Sequence, residues 1–470
     1  MIKINTSQRE MRTARRVGCL SATFLIIALS TGFYSRAIGA PQNAVPEIEP
    51  HSYRLEEKRV SVPAADVSVG VLWSRAANAP DLDTDQSPPY LAIGKGDVAF
   101  TSGGQVCGFR AVDGARQWCA GPGLAPVYGG GEVAFVRDDG RIVAADAKNG
   151  HILWSYNSSG SAGLHGNPLT PAFVAYSGIG TFLAAGVSIV ELSKTGKVVW
   201  STLPCPCSFE LPVSVGPFTL QPVNGTGAYT QYRIYDYRLN GAARTVGEFG
   251  DAESVLKIQG QHFFGLSDIE PPARFLSADV FEADLASGKV IAYRHYEPDY
   301  DDNYARFLKT DSQNQVIPGI EGPYIYVPVQ SRLYRYPIDK TSTTVPLEIS
   351  DNDTFVGGPY QGSVYVARAD GVWSLHPLEK DIEARLVAPS VKPFVTMTFS
   401  QNDGYVAFED GRIEGFDVRD GRPTLDASAP CVPWKIIAAQ TNVYLICNNR
   451  SKQIFGNRLS WRVVAFSRSR

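Results

Sequence analysis

The 470-residue chain is rich in glycine (44), proline (31), tyrosine (22) and phenylalanine (22), and it contains only 3 methionines. This composition is typical of many short strands joined by tight turns, and it argues against a helical protein. The formal net charge is −3, and without residues 1–40 it becomes −8, from 38 basic and 46 acidic residues, which argues against a nucleic-acid partner.

The first 40 residues have the organisation of a secretory signal. Five basic residues precede an apolar run over residues 17–34, and the small residues Ala37, Gly39 and Ala40 follow it. This order predicts a signal peptide over residues 1–40, with an uncleaved membrane anchor as the alternative. In both cases the remainder is expected to be exported, to the periplasm or the cell exterior. Residues 41–65 contain four prolines and are interpreted as an extended linker.

One segment, Ala144–Trp154 with the sequence AADAKNGHILW, recurs in modified form along most of the chain. It predicts a β-hairpin. Gly150 supplies the positive φ of the turn, and Asp146 can accept backbone N–H groups within the loop. The ring of Trp154 is larger than one hairpin can bury, so we expect it to pack against an adjacent copy of the unit.

Two further copies preserve both the turn and the tryptophan. They end at Trp118 and Trp200, so the spacing between successive tryptophans is 36 and 46 residues. Weaker copies keep only the turn, over residues 284–289 and 417–422. Short β-branched and aromatic segments, such as residues 97–101 and 132–136, precede many of the turns. Each unit is therefore predicted to be a four-stranded antiparallel sheet.

These repeats resemble the quinoprotein-like β-propeller family, whose consensus runs approximately Ala-x-Asp-x-x-Thr-Gly-x-x-x-Trp. The resemblance covers residues 66–470 and implies an all-β fold: one propeller, in which the tryptophan of each outer strand docks on the next blade. Nine tryptophan positions can be counted, and we expect eight blades, within a range of seven to nine. The residues expected to form the joints between blades are Trp73, Trp118, Trp154, Trp200, Gly114, Gly150, Gly196, Gly288 and Gly421.

The two ends of this region are complementary. Residues 67–75 have the pattern of an outer strand, with Trp73 in the tryptophan position, but no inner strands precede them. Residues 461–467 have the pattern of an inner strand with no outer strand after it. We therefore expect the N-terminal strand to complete the C-terminal blade and to close the ring, which removes the exposed edges of an open sheet.

Six cysteines follow the N-terminal segment, in three local pairs. Two pairs are expected to be structural disulfides in an oxidising compartment, with free thiols as the alternative. A disulfide within the Cys-Pro-Cys segment would close a strained ring suited to redox exchange or a metal clip, but a loop staple or pairing elsewhere is favoured. The expected disulfides are Cys107 with Cys119 and Cys431 with Cys447, and the Cys-Pro-Cys segment contains Cys205 and Cys207.

Signatures of chemistry are weak. The acidic run over residues 297–303 offers oxygen ligands of the kind that Ca²⁺ prefers, but it lacks the glycine and terminal glutamate of a helix-flanked calcium loop. The six histidines have no metal-ligand spacing, and no nucleophile is accompanied by a visible base. No catalytic or metal-binding residue is predicted.

Two functions of different classes follow. The first is a non-catalytic, monomeric exported propeller that binds another envelope or extracellular protein, resembling the lipoprotein propeller of the outer-membrane barrel-assembly machine. It would contact the membrane only through an uncleaved N-terminal segment. The alternative is a dehydrogenase of alcohols or sugars that uses pyrroloquinoline quinone and Ca²⁺. The chain lacks the Cys-Cys dipeptide and the long blade insertions of such enzymes, which favours the binding protein without a cofactor.

Overall fold

The structure is a computed structural model. It describes residues 53–54, 56–63, 65, 67–78, 89–137, 139–157, 173–176, 182–185, 189–201, 213–215, 218–224, 230–236, 242–246, 254–259, 262–268, 278–287, 290–296, 319–329, 332–337, 347–350, 354–378, 381–448 and 460–468. All of them lie in the compact unit Pro50–Arg470. The expected signal peptide, the Cys-Pro-Cys segment, Gly288 and the acidic run over residues 297–303 lie outside the described residues. Within these ranges no helix has the length and apolar character needed to cross a bilayer.

The described residues form 38 strands. In chain order the strands are β1 (Tyr53–Arg54), β2 (Glu56–Val60), β3 (Val71–Ala77), β4 (Ala92–Ile93), β5 (Asp97–Ser102), β6 (Gln105–Arg110), β7 (Arg116–Pro122), β8 (Leu124–Gly129), β9 (Glu132–Val136), β10 (Arg141–Asp146), β11 (Ile152–Asn157), β12 (Phe173–Tyr176), β13 (Phe182–Ala185), β14 (Ile189–Leu192), β15 (Val198–Ser201), β16 (Val213–Val215), β17 (Phe218–Asn224), β18 (Thr230–Asp236), β19 (Ala242–Val246), β20 (Ser254–Gln259), β21 (His262–Asp268), β22 (Ala278–Asp284), β23 (Val290–Tyr296), β24 (Gly319–Glu321), β25 (Tyr324–Val329), β26 (Arg332–Pro337), β27 (Leu347–Ser350), β28 (Thr354–Tyr360), β29 (Ser363–Arg368), β30 (Gly371–Pro377), β31 (Asp381–Pro389), β32 (Phe394–Ser400), β33 (Asp403–Phe408), β34 (Arg412–Asp417), β35 (Pro423–Ser428), β36 (Val432–Ala438), β37 (Asn442–Asn448) and β38 (Trp461–Ser467).

Within the described part of the chain these strands assemble into nine sheets, each built on four antiparallel strands. Sheets 1 to 8 are β4–β7, β8–β11, β12–β15, β16–β19, β20–β23, β24–β27, β28–β31 and β32–β35, and sheet 9 combines β36–β38 with β3. The all-β fold is therefore as expected. Eight blades were expected within a range of seven to nine, and the nine sheets equal the number of tryptophan positions counted in the sequence.

The core lies between consecutive sheets. The middle strands of sheets 1 and 2 are buried except at some end residues, and β9 is buried throughout, because these sheets pack against a neighbour on both faces. This explains why their sequences are continuous apolar runs and do not alternate. One core cluster joins Phe135 of sheet 2 to Trp118 of sheet 1, and another joins Trp154 of sheet 2 to Val190 of sheet 3. Outer strands such as β11 alternate between exposed and buried positions for much of their length.

The N-terminal and C-terminal strands share one sheet. β3 pairs antiparallel with β38, with Val71 opposite Phe466 and Ala77 opposite Trp461. A core cluster then joins Trp73 and Trp461 of sheet 9 to Phe100 of sheet 1. The last sheet therefore packs on the first, and its outer strand comes from the start of the described chain.

Residues before β3 also belong to the sheets. β1 pairs in parallel with β27, and β2 pairs in parallel with β31. Val69 then donates a backbone hydrogen bond to Asp426 of β35, and Asp426 donates one to Val67. We call β1, β2 and residues 67–69 the strap. The strap adds one strand to the outer edge of sheet 6 and one to that of sheet 7, and it forms backbone hydrogen bonds with the outer edge of sheet 8. Residues 41–65 were expected to be only a linker, but they contribute these two strands.

Candidate functional site

Three tryptophans lie on glycines of the neighbouring sheet. Each glycine is in the hairpin turn before the outer strand and has a φ between 64° and 73°. A Cβ atom at these glycines would lie only 2.6 to 2.8 Å from the nearest ring atom, so no larger residue fits without displacing the ring. The pairs are Trp73 with Gly114, Trp118 with Gly150, and Trp154 with Gly196.

The indole N–H groups of these tryptophans are also satisfied. Trp73 donates to the carbonyl oxygen of Ala111 over 2.9 Å, and Trp118 donates to that of Ala147 over 2.7 Å. Both acceptors lie in the turn that carries the contacted glycine. Trp154 differs, because it donates to Oε2 of Glu132 over 3.0 Å. The joints of Trp73 and Trp118 therefore combine apolar packing with a buried hydrogen bond to the next sheet, whereas the hydrogen bond of Trp154 lies within sheet 2.

A β-bulge recurs where the third and fourth strands of the sheets pair. Register shifts of this kind occur in sheets 1, 2, 3, 5, 6, 7, 8 and 9. In sheet 2 the shift lies between Ala144, which faces Trp154, and Ala145, which faces Ile152. A bulge turns the strand locally and re-aims its side chains, which is how the tryptophan reaches the next sheet.

The remaining expected joint residues have other surroundings. A Cβ atom at Gly421 would lie 3.1 Å from Val62 and 3.3 Å from Val387, so this turn contacts β31 and the chain between β2 and residues 67–69. Trp200 is part of β15, but its side chain lies outside the described part of the structure, as does all of Gly288.

The turn aspartates have structural roles. Oδ1 of Asp146 accepts the backbone N–H groups of Lys148 and Asn149, over 2.8 and 3.2 Å. Asp417 accepts the N–H of Arg419, and the hydrogen bond from the Arg419 guanidinium holds the pKa of the Asp417 carboxyl below its usual range. These carboxylates close the turns that carry the contacted glycines or equivalent positions.

Of the three buried glutamates among the described residues, Glu132 and Glu414 have shifted pKa values, and a shifted pKa could suggest chemistry. Burial raises the pKa of Glu414 to about 7, and the carboxylate pairs with the Arg412 guanidinium. Burial also raises the pKa of Glu132, while the hydrogen bond from Trp154 opposes the shift. Glu414 therefore forms an ion pair with Arg412, and Glu132 accepts a hydrogen bond from Trp154.

The described residues also offer no metal site. Among them, no three His, Cys, Asp or Glu side chains come close enough together to hold a metal ion. A site for pyrroloquinoline quinone with Ca²⁺ would need such convergent oxygen ligands. The described residues therefore do not supply that arrangement.

Two disulfides link residues near in sequence. Cys107 and Cys119 face each other across the β6–β7 hairpin, at a Cα–Cα distance of 4.0 Å. Cys431, directly before β36, bonds to Cys447 of β37 at a Cα–Cα distance of 5.7 Å. Both bonds are buried on at least one side, since Cys107 and Cys447 are almost inaccessible.

An exposed apolar surface follows the tryptophan joints. Ile152 and Leu153 of β11 and Val198 and Val199 of β15 are about half exposed, at 48 to 52%. We call these four residues the apolar stripe. Leu153 directly precedes Trp154, and the Trp154 ring lies on Gly196, two residues before Val198, so the two aliphatic pairs flank the same joint.

The neighbouring sheets vary this pattern. On sheet 9 the aliphatic pair before the tryptophan is Val71 and Leu72, both about 40% exposed. On sheet 1 the same positions hold Arg116 and Gln117, which are exposed. Polar residues are therefore compatible with the fold here, and the apolar pairs are not required to build a sheet.

The nine antiparallel four-stranded sheets define the protein as a β-propeller. Residues 58–203, which contain β3 and sheets 1 to 3, match the model of a family described as outer membrane protein assembly factor BamB. The matched segment, less than half of the chain, consists of pyrroloquinoline-quinone-like propeller repeats, as the sequence pattern predicted.

Similar solved structures share little sequence with this protein. BamB from Moraxella catarrhalis is 13% identical, with 85% of this chain and 99% of that chain covered and a TM-score of 0.40. A quinohemoprotein alcohol dehydrogenase from Comamonas testosteroni is also 13% identical, with 85% and 76% covered and a TM-score of 0.44. The computationally designed protein Ika8 is 11% identical, with 84% and 98% covered and a TM-score of 0.44. No curated protein matches the sequence.

The joint can be tested at its glycine. Gly150→Ala should lower the free energy of unfolding by about 2 to 4 kcal/mol, because a Cβ atom there adds a clash with Trp118 to the cost of a positive φ. Gly131→Ala is the matched control, since Gly131 has a φ of 87° but a Cβ atom added to it would have nothing within 4 Å. The control should lose only about 1 to 2 kcal/mol. If both variants shifted the urea-unfolding midpoint equally, the contact of Trp118 with Gly150 would not contribute to stability.

Glu414 predicts a pH dependence of stability. Because its folded-state pKa is raised from 4.5 to about 7, the folded protein binds the proton more tightly, and stability falls as pH rises through this window. Glu414→Gln should abolish this fall, so its stability relative to the wild type should increase by about 2 to 3 kcal/mol between pH 4.5 and 7. Glu409→Gln, on an exposed turn, should retain the wild-type profile in urea unfolding at each pH.

The disulfides predict a labelling pattern. Alkylation of the unfolded, unreduced protein should leave Cys107, Cys119, Cys431 and Cys447 unmodified, whereas prior reduction should add a label to each of them. Peptide mass spectrometry assigns the labels to positions. A label at any of the four residues before reduction would show that the corresponding bond does not form.

Proposed function

We propose that this protein is a non-catalytic, exported β-propeller that acts as a scaffold for another envelope or extracellular protein. The observation that carries the proposal is the apolar stripe on the outer strands of sheets 2 and 3. Exposed aliphatic pairs that flank one joint are unfavourable in water unless a partner covers them. The polar residues at the same positions of sheet 1 indicate that the fold itself does not require them.

The matched family supports the same function. Its description names an outer membrane protein assembly factor, which is a role in assembling other proteins. The two disulfides support an oxidising compartment outside the cytoplasm, which agrees with the signal peptide expected from the sequence of residues 1–40. Asp146, Asp417, Glu132 and Glu414 all have structural partners, which explains these four groups without a reaction.

The proposal is tested by two measurements on the full-length protein. A photoreactive phenylalanine analogue at Leu153 should form a discrete crosslink to another protein in intact cells, whereas the same analogue at Val391, which is 87% exposed, should not. Titration with pyrroloquinoline quinone and Ca²⁺ should produce no bound quinone absorbance and no dye reduction by alcohols or sugars. Stoichiometric quinone binding with dye reduction would instead establish the dehydrogenase.

A further inference from the structure

We infer that the outer edges of β11 and β15, with which no described strand pairs, bind an extended segment of the partner, which adds to them as a parallel β-strand and covers the apolar stripe. This inference rests on the proposed function and specifies its surface and the chemistry of the partner. The segment would alternate aliphatic residues with other residues and carry acidic residues at the end that meets the hairpin turns.

The strap shows that outer edges of this propeller accept a parallel strand. Glu56 to Val60 pair in one-to-one register with Asp381 to Arg385 of β31. The chain then reaches the edge of β35, where backbone hydrogen bonds join Asp426 to Val67 and Val69 at 3.0 and 2.8 Å. An extended segment thus crosses from one outer edge to the next in the order of the sheets. A partner segment on β11 and β15 would repeat this geometry on sheets 2 and 3.

Side chains of the strap reinforce the backbone pairing. The Glu57 carboxylate accepts two hydrogen bonds from the Arg368 guanidinium, at 2.9 and 2.7 Å. The guanidinium of Arg59 lies 4.9 Å from the ring centre of Trp373. The edge therefore holds an added strand through both its main chain and the side chains beside it.

The edges with and without the strap differ in their protection. On sheet 7 the strap becomes the new edge, and its exposed residues Glu56, Glu57, Lys58 and Arg59 are charged, which disfavours further strand addition. Within the described residues no strand pairs with the outer side of β11 or β15. Those edges also carry the apolar stripe. An unpaired strand edge with exposed apolar side chains favours the addition of another strand.

Charges around the stripe define the ends of the segment it would bind. The turn before β11 exposes Lys148, and the turn before β15 exposes Lys194 and Lys197. These cations contrast with the acidic character of the chain as a whole. Acidic residues in the partner segment would meet them at the turns, while its aliphatic residues cover the stripe.

The test uses a fluorescent peptide of about ten residues, the length of a long strand, in which valine alternates with threonine after two glutamates. We expect saturable binding to the full-length protein in fluorescence anisotropy. A peptide of the same sequence with alternate amides N-methylated should bind at least about tenfold more weakly, because it cannot form the strand hydrogen bonds. Equal binding of both peptides, or no binding at about 1 mM, would overturn strand addition.

The location is tested by transferring the residues of sheet 1 to sheet 2. Ile152→Arg combined with Leu153→Gln copies Arg116 and Gln117, so the variant should keep the wild-type melting temperature and lose peptide affinity at least about tenfold. Val391→Arg, an exposed aliphatic residue on another loop, should leave the affinity unchanged. Unchanged affinity in the double variant would overturn the assignment to the stripe.

The occupant and the proposed function are tested separately. A dimer in sedimentation that is lost in the double variant would show that a second copy covers the stripe, which would overturn a partner strand. A crosslink from Leu153 without strand-dependent peptide binding would leave the scaffold function intact and reject only this inference. Quinone-dependent dye reduction would instead reject the scaffold function.

Discussion

The structure depends on the contact between a tryptophan of one sheet and a turn glycine of the next. The ring of Trp118 lies where a side chain on Gly150 would be, and its indole N–H bonds to the carbonyl of Ala147 in the same turn. This contact sets the distance between two sheets and the conformation of the turn at once. The bulge beside Trp154 directs the tryptophan toward this contact. Because the contact brings neighbouring sheets together, both faces of a sheet are enclosed and strands such as β9 are apolar.

Each four-stranded repeat has an outer strand whose outward-facing backbone N–H and C=O groups have no partner within the same sheet. β3 supplies the outer strand of sheet 9, and the strap adds parallel strands to the outer edges of sheets 6 and 7. The exposed side of the strap carries charged residues such as Glu56 and Lys58, which disfavour the pairing of a further strand. Edge pairing within the chain thus closes the fold on one group of sheets, while β11 and β15 keep aliphatic edges.

The fold could be predicted from the sequence where local chemistry is repeated. Glycine at a turn followed by tryptophan is readable at Gly150 and Trp154, and the complementary end strands indicate the pairing of β3 with β38. The strap could not be predicted, because Glu56–Val60 lacks apolar alternation and its pairing with β31 spans a long stretch of chain. The number of sheets was uncertain because the later copies lose the tryptophan that marks the joint.

The candidate surface was harder to predict than the fold. Ile152 and Leu153 directly precede a buried tryptophan, and an apolar run of this kind reads as core, yet the bulge that directs Trp154 inward leaves both residues about half exposed. The same hairpin on sheet 1 carries Arg116 and Gln117 instead. The joint therefore constrains the tryptophan and the glycine but leaves the two preceding positions open. The tryptophans and glycines of the repeat are needed for packing between sheets. The two positions before the tryptophan are not, so a binding surface can arise there without weakening the ring.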